Sequence, residues 1–240
     1  MKTVGIIGGL SAESSILYYQ GINDGVRTAL GGHHAGRVLL NSLNFGEFVA
    51  YKQQNDWASQ EKLLCQAAID LQNGGADFVI LATNTMHKMA DAIEASISIP
   101  FLHLADTTAD EIIRQGVDNI ILLGTRYTME MDFYKGRLEQ KGITPLIPNE
   151  QERTDIHNII YDELCCGVVK EGSKKRFIEI IHRLEKQSAS GVILGCTEIA
   201  MLIGENDVAC NVFDTTAIHI QAALEMIFEK GEGHCEVISG

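Results

Sequence analysis

Val192-Ile193-Leu194-Gly195-Cys196-Thr197-Glu198 has a near copy earlier in the chain, Val79-Ile80-Leu81-Ala82-Thr83-Asn84-Thr85. Aligned on the shared Val-Ile-Leu, Cys196 falls where the earlier stretch has Thr83. Each is an apolar run that stops at small polar residues. That is the pattern of a buried parallel strand delivering side chains to a cleft at its carboxyl end. Thr83 and Cys196 are therefore expected to face each other across one cleft.

The likeness extends outward from these stretches. Residues 120–123 followed by Gly124-Thr125 mirror residues 4–7 followed by Gly8-Gly9, 116 positions on. Residues 184–198 mirror 71–85 at an offset of 113, and Asp106-Thr107-Thr108 returns as Asp214-Thr215-Thr216 at 108. Three matched blocks in one order imply a duplicated unit, with loop deletions shrinking the offset. Strands are expected at 4–7, 38–45, 78–82 and 99–104. Between them, Ile16, Tyr19, Ile22 and Val26, then Leu63, Leu64, Ala67, Ala68 and Leu71, recur at helical spacing. Ser11 suits an N-cap, Gly74-Gly75 a helix stop, residues 51–56 a polar loop, and a short helix begins near His87. The alternation predicts an α/β fold of two pseudo-symmetric lobes, each a parallel sheet flanked by helices, with a cleft between them. The first lobe is expected to take residues 1–100 and 210–240, the second 101–209.

Composition narrows the function. The 240 residues are 45% hydrophobic, ample for a core, and three prolines leave no Pro-rich linker. A net charge of −13, from 32 acidic and 19 basic residues with no Lys/Arg block, argues against nucleic-acid or anionic-membrane partners. No stretch has the roughly 20 apolar residues of a membrane span. The N-terminus enters a strand without a signal-peptide core. Six cysteines (65, 165, 166, 196, 210 and 235) form no CxxC pair and no disulfide framework, so reduced thiols and a cytoplasmic location are expected. His33-His34 and Cys165-Cys166 are sequence neighbours, poor geometry for one tetrahedral metal site, and no metal is expected. Gly5-Ile6-Ile7-Gly8-Gly9 is not a G-x-G-x-x-G fingerprint, and the second strand ends at Asn44-Phe45 rather than an acid, so no dinucleotide cofactor is expected. No G-x-S-x-G nucleophile elbow occurs.

Cys196 is the strongest chemical candidate. A free cysteine has a pKa of about 8.5, and a helix N-terminus lowers it, so Cys196 is expected to serve as proton acceptor or nucleophile near neutral pH. The plain alternative is a small core residue. Thr83 is a far weaker acid and a poor base unaided; its pairing with Cys196 is the internal reason to promote it. Asn84, Thr85 and Thr197 offer neutral donors for a carboxylate or an amine. So do the backbone amides along Gly8-Gly9-Leu10-Ser11, with Thr125 and Thr128 as second-lobe counterparts. Turn and cap chemistry is the alternative for all of these. Asp106 and Asp214 are expected to cap the helices after them. Glu198 either orients Cys196 or caps its own helix, and His87 is as readily structural as catalytic.

Gly5-Ile6-Ile7-Gly8-Gly9, Thr83-Asn84-Thr85-Met86-His87 and Gly195-Cys196-Thr197-Glu198 together resemble the signatures of the aspartate/glutamate racemase superfamily, in order and spacing, over nearly the whole chain. The resemblance implies an enzyme independent of PLP and metals, with two α/β lobes exchanging C-terminal elements, and a dimer. One residue on each lobe takes and returns the α-proton of an amino acid. Glutamate racemases usually carry Asp-Ser after the first strand; the loop Gly8-Gly9-Leu10-Ser11-Ala12-Glu13-Ser14 resembles the aspartate-racemase branch instead. Most members have cysteine at both catalytic positions. Thr83 departs from that and resembles a Thr/Cys subgroup specific for L-aspartate and L-glutamate, as do Lys88 and the run Leu123-Gly124-Thr125-Arg126-Tyr127-Thr128-Met129. Aspartate racemases typically hold the side-chain carboxylate with basic residues, one of them after a Glu-Leu. Here Glu163-Leu164 is followed by Cys165, and Lys52 is the nearest candidate for the other position.

The expectation is thus racemisation of L-aspartate or L-glutamate by two-base transfer at Cα, with Cys196 and Thr83 on opposite faces. Maleate-isomerase-like chemistry through Cys196 alone, or an inactive scaffold that binds a small carboxylate, are the alternatives.

Overall fold

Two sheets with all strands parallel carry the chain, which the computed structural model describes over residues 1–229. The first half runs β1 (Thr3–Gly8), α1 (Ala12–Leu30), β2 (Arg37–Ser42), α2 (Phe45–Gln53), α3 (Trp57–Asn73), β3 (Phe78–Leu81), a 3-10 turn (Thr85–Met89), α4 (Ala90–Ser96) and α5 (Leu104–Arg114). The second half runs β4 (Asn119–Gly124), α6 (Arg126–Glu130), α7 (Asp132–Gln140), β5 (Thr144–Leu146) and α8 (Glu150–Asn158). A π turn (Ile159–Glu163) and a 3-10 turn (Leu164–Cys166) lead to α9 (Glu171–Glu185) and β6 (Gly191–Gly195). The chain closes with a second 3-10 turn (Thr197–Met201), β7 (Asn211–Asp214) and α10 (Thr215–Phe228).

The sheets share one plan. Strand order is β2-β1-β3 in the first and β5-β4-β6-β7 in the second. A single parallel bridge, Val79 to Phe101, stands where β7 stands beside β6. β1, β3, β4 and β6 are apolar on both sides because helices cover both faces. On one face of the first sheet Ile7 and Leu81 pack on Leu64, Ala68 and Leu71 of α3. On the other, Val4, Ile6, Phe78 and Ile80 meet Tyr18, Ile22 and Val26 of α1.

The helices that end each half cross over. α5 follows the Phe101 bridge of the first sheet, yet Leu104, Ala105, Ala109 and Ile112 pack against Ile120, Leu122 and Ile193 of the second. α10 follows β7 of the second sheet, yet Ala223, Leu224 and Ile227 pack with Val4, Ile6 and Tyr18 of the first. Against a division at 100/101 and 209/210, the Phe101 bridge and β7 are what fall on the other side of their boundaries. β7 pairs with β6 and lies in the second sheet, while α10 joins the first core. Residues 230–240 lie outside the described residues.

Three local expectations also change. The strand over 99–104 shrinks to its bridge: Pro100 has no N–H to donate, and Leu104 already begins a helix. Of residues 51–56 the first three close α2, which runs to Gln53 with Phe48 buried beneath it, and the loop is shortened to 54–56. Asp106 does not cap α5. That role falls to His103, whose Nδ1 accepts from the Ala105 N–H at 3.1 Å, while Asp106 holds Arg137 at 2.6 Å. Asp214 does cap α10, accepting from the Thr216 and Ala217 amides. The equivalent caps are thus His103 and Asp214, 111 residues apart, and the Asp-Thr-Thr match at 108 is out of register.

Candidate active site

The carboxyl ends of β3 and β6 are held together by side chains from both halves. After β3 the Thr83 N–H donates back to the Leu81 carbonyl at 2.9 Å, and the chain enters the 3-10 turn. Asn84 is buried; its Nδ2 donates to Thr215 Oγ1 at 3.1 Å, and that hydroxyl donates to the Leu194 carbonyl of β6 at 3.0 Å. Asn84 Oδ1 has no partner among the described residues although it is buried. Thr85 Oγ1 and Thr125 Oγ1 lie 3.2 Å apart, a hydrogen bond between the halves. An unpaired buried oxygen costs about 1–3 kcal/mol unless something fills its need, which marks Asn84 Oδ1 as an acceptor waiting for a donor.

Cys196 and Glu198 form the second-half contribution. Cys196 Sγ donates to Glu198 Oε2 at 2.8 Å, and Thr197 Oγ1 donates to the same oxygen at 2.7 Å. Cys196 is half-buried against the second core. Burial pushes its thiol well above the usual range, and the Glu198 charge pushes it further. The expected lowering by a helix N-terminus is therefore overturned. Only a five-residue 3-10 turn follows, too short for a strong dipole, and the carboxylate folds back onto the sulfur. In the free protein Cys196 is a thiol. Glu198 orients Cys196, the first of the two roles open to it.

Other expected site residues divide. Thr125 is a buried cap that bonds Thr85 and accepts from the Thr128 N–H at 3.4 Å. Thr128 is enclosed behind Thr125, the two hydroxyls 3.3 Å apart. It is fully buried, and its side chain packs where a Cβ on Gly124 or Gly195 would intrude at 3.0–3.1 Å. The first-strand turn is less open to an anion than expected, since the Gly9 N–H is taken by Ser15 Oγ at 2.8 Å. Leu10 packs its side chain into the first core, and Ser11 caps α1 by accepting from the Ser14 N–H at 3.2 Å. Lys52 falls in α2, and its side chain is outside the described residues. A groove of about 760 Å³ lined by Ile16, Tyr19, Asn23, Arg27 and Leu40 contains none of Thr83, Asn84, Thr85, Cys196 or Glu198.

Sequence reasoning missed an aromatic wall. Trp57 of α3 and Tyr127 of α6 lie 6.2 Å apart between ring centroids, Tyr127 and His157 6.5 Å, and His157 and Tyr161 4.7 Å. Lys88 Nζ lies 3.0 Å from the Trp57 ring centroid. At the far end, burial pushes the Tyr161 hydroxyl up to about 12, with Cys196 and Cys165 adding to it. Cys165 is pushed up to about 11 by burial and then by Glu198. The Glu163-Leu164 pair was the available signal, because the turn it opens brings Cys165 within the field of Glu198. The aromatic residues carry no shared motif and converge only in three dimensions.

Comparison with known proteins identifies the fold and the family. The Asp/Glu/hydantoin racemase family matches residues 7–223. A protein from Yersinia pestis described as a candidate Asp/Glu racemase is 46% identical and superposes with a TM-score of 0.92, over 95% of this chain and 100% of its own. An aspartate racemase homologue from Pyrococcus horikoshii OT3 is 35% identical with a TM-score of 0.85, over the same shares. The broad specificity amino-acid racemase RacX of Bacillus subtilis is 20% identical over 226 residues, 89% of this chain and 93% of RacX. With matched strand ends, exchanged helices and a family match over most of its length, the chain belongs to the Asp/Glu/hydantoin racemase family.

Proposed function

We propose that this enzyme racemises L-aspartate and L-glutamate by proton transfer at Cα between Cys196 and Thr83. The observation that carries the reading is the Cys196–Glu198 pair at 2.8 Å, at the end of the strand that matches the one leading to Thr83. Cys196 passes its thiol proton to Glu198, and the thiolate removes the Cα proton of the L-substrate. The electron pair moves into the α-carboxylate as an ene-diolate. Thr83, directly or through water, protonates the opposite face, its hydroxyl recovers a proton from water, and Glu198 returns its proton to the hydroxide so left.

The α-ammonium suits Asn84 Oδ1, the buried acceptor without a partner. A cation bound there also offsets the Glu198 charge that, after burial, disfavours the Cys196 thiolate. The Thr85–Thr125 pair supplies a neutral hydroxyl donor for the developing ene-diolate, where preorganised donors are worth most, while Thr197 spends its hydrogen on Glu198. The acidic substrate class is supported by the Asp/Glu and aspartate descriptions of the two similar structures, with Lys52 offered for the side-chain carboxylate. We further propose a homodimer working in the cytoplasm, which light scattering and cell fractionation test.

The test is chirality and Cα exchange in deuterated water over a panel of L- and D-amino acids. Cys196→Ala is expected to abolish both. Thr83→Ala is expected to retain exchange from the L-enantiomer and lose inversion. Racemisation that survives Cys196→Ala sinks the mechanism, and equal, fast exchange from both enantiomers in the parent protein removes the asymmetric role of Thr83.

A further inference from the structure

His87 makes two hydrogen bonds whose partners leave its ring one protonation state. Its Nδ1 lies 2.7 Å from the Thr83 carbonyl oxygen, which only accepts, so Nδ1 carries the hydrogen. Its Nε2 accepts from the Leu104 backbone N–H at 3.2 Å, so Nε2 is bare. An imidazolium would set one N–H against another. The ring is 2% exposed, and burial, reinforced by His219, brings its pKa down to about 3.

Two further buried histidines surround it, His219 bonded at both ring nitrogens and His103 at Nδ1, its Nε2 without a partner among the described residues. His219 Nε2 donates to the Leu102 carbonyl at 2.9 Å and its Nδ1 accepts from Tyr18 Oη at 2.8 Å. The His103 ring, 4.6 Å from that of His87, accepts from Ala105 to cap α5. His87 thus joins the turn bearing Thr83 to the first residue of α5, the helix seated in the core of the other lobe, whose sheet carries Cys196.

We propose that His87 is a positioning residue for Thr83: its neutral Nδ1–H tautomer fixes the Thr83 peptide relative to the second lobe, and so governs proton transfer on the Thr83 face of the substrate but not on the Cys196 face. The proposal rests on the two-base reading above. Its physical basis is the sensitivity of proton transfer to placement, where an error of about 1 Å costs on the order of 100-fold. A hydroxyl, unlike a thiolate, has little intrinsic reactivity to compensate.

The two faces can be read separately. In deuterated water, exchange at Cα of the L-substrate without inversion reports the Cys196 face, while inversion requires both. His87→Ala is expected to lower inversion about 10-fold or more beyond any loss of exchange. His87→Asn places an amide N–H where Nδ1 stood and is expected to restore most of the inversion. His87→Gln reaches only toward Leu104 and is expected to restore less. A second readout is independent of turnover: the methyl resonance of Thr83 should shift or broaden in His87→Ala and return in His87→Asn. Equal loss of exchange and inversion in a folded His87→Ala protein overturns the proposal. So does Gln restoring more than Asn, or an unmoved Thr83 methyl. If His87→Ala does not fold, the Asn and Gln order decides. A parent protein that exchanges none of the panel defeats the two-base reading instead, and the methyl resonance still judges His87.

Discussion

Cys196 shows how burial, with one contact added, reverses an inference from position. A cysteine after a strand, before a helical turn, reads as an activated thiol; its place was legible because the apolar run ahead of it has a copy at Thr83. Its acidity was not legible, because that depends on Glu198 folding back two residues onto the sulfur and on the depth of the surrounding core. The direction of the shift sets an expectation. Alkylation of Cys196 by iodoacetamide, followed by peptide mass spectrometry, should rise with pH around a midpoint above the ordinary thiol value of about 8.5. Glu198→Gln should move that midpoint down, since it removes a charge that disfavours the thiolate. A midpoint at or below 8.5 in the parent protein would contradict the environment described for Cys196. A bound ammonium compound should also lower the midpoint if Asn84 Oδ1 is the ammonium acceptor.

At the level of elements, the strands buried on both faces were readable as apolar runs between turn residues, and α1 and α3 as helical stripes. What escaped depended on competition between neighbours. Pro100 cuts a strand to one bridge, and His103 takes the cap that Asp106 was expected to provide. The close approach of β4 to β6 was visible only as two glycines. Gly124 and Gly195 are register partners, and a Cβ on Gly195 would lie 2.5 Å from the Leu123 carbonyl oxygen. Gly195→Ala should therefore destabilise by about 1–3 kcal/mol in urea titration, with strand displacement next to Cys196 lowering activity. Gly136→Ala is the contrasting case. Gly136 sits inside α7 with nothing within 4 Å of the added carbon, and the change should stabilise by about 0.5–1 kcal/mol. Opposite signs for the two are expected; equal destabilisation would show that the β4–β6 approach is not what requires a glycine at 195.

Over the whole molecule the duplicated plan was legible from two in-register repeats, while the exchange of α5 and α10 could not be read from residues of the helices themselves, whose apolar faces would suit either core. The histidines buried where the halves meet link stability to pH. His87 and His219 are held at about 3 and about 4, below the ordinary value of 6.5, so the folded protein binds fewer protons than the unfolded chain in that interval. Their contribution is complete above about pH 6.5 and is lost as pH falls toward 4 and 3, at a cost of about 2 kcal/mol each by pH 5. The urea midpoint should drop between pH 7 and pH 5, and a smaller drop is expected in His219→Gln; a midpoint unchanged over that range would refute the linkage. The crossed helices have a further consequence for how the chain can be divided. A fragment ending near Gly116 carries α5 with no surface to seat it and lacks the α10 that roofs its own sheet. Neither half is expected to fold alone, since each holds the missing piece of the other. Two such fragments, expressed together without a covalent join, should recover each other's helices and reassemble, as the protomers of a domain-swapped pair would.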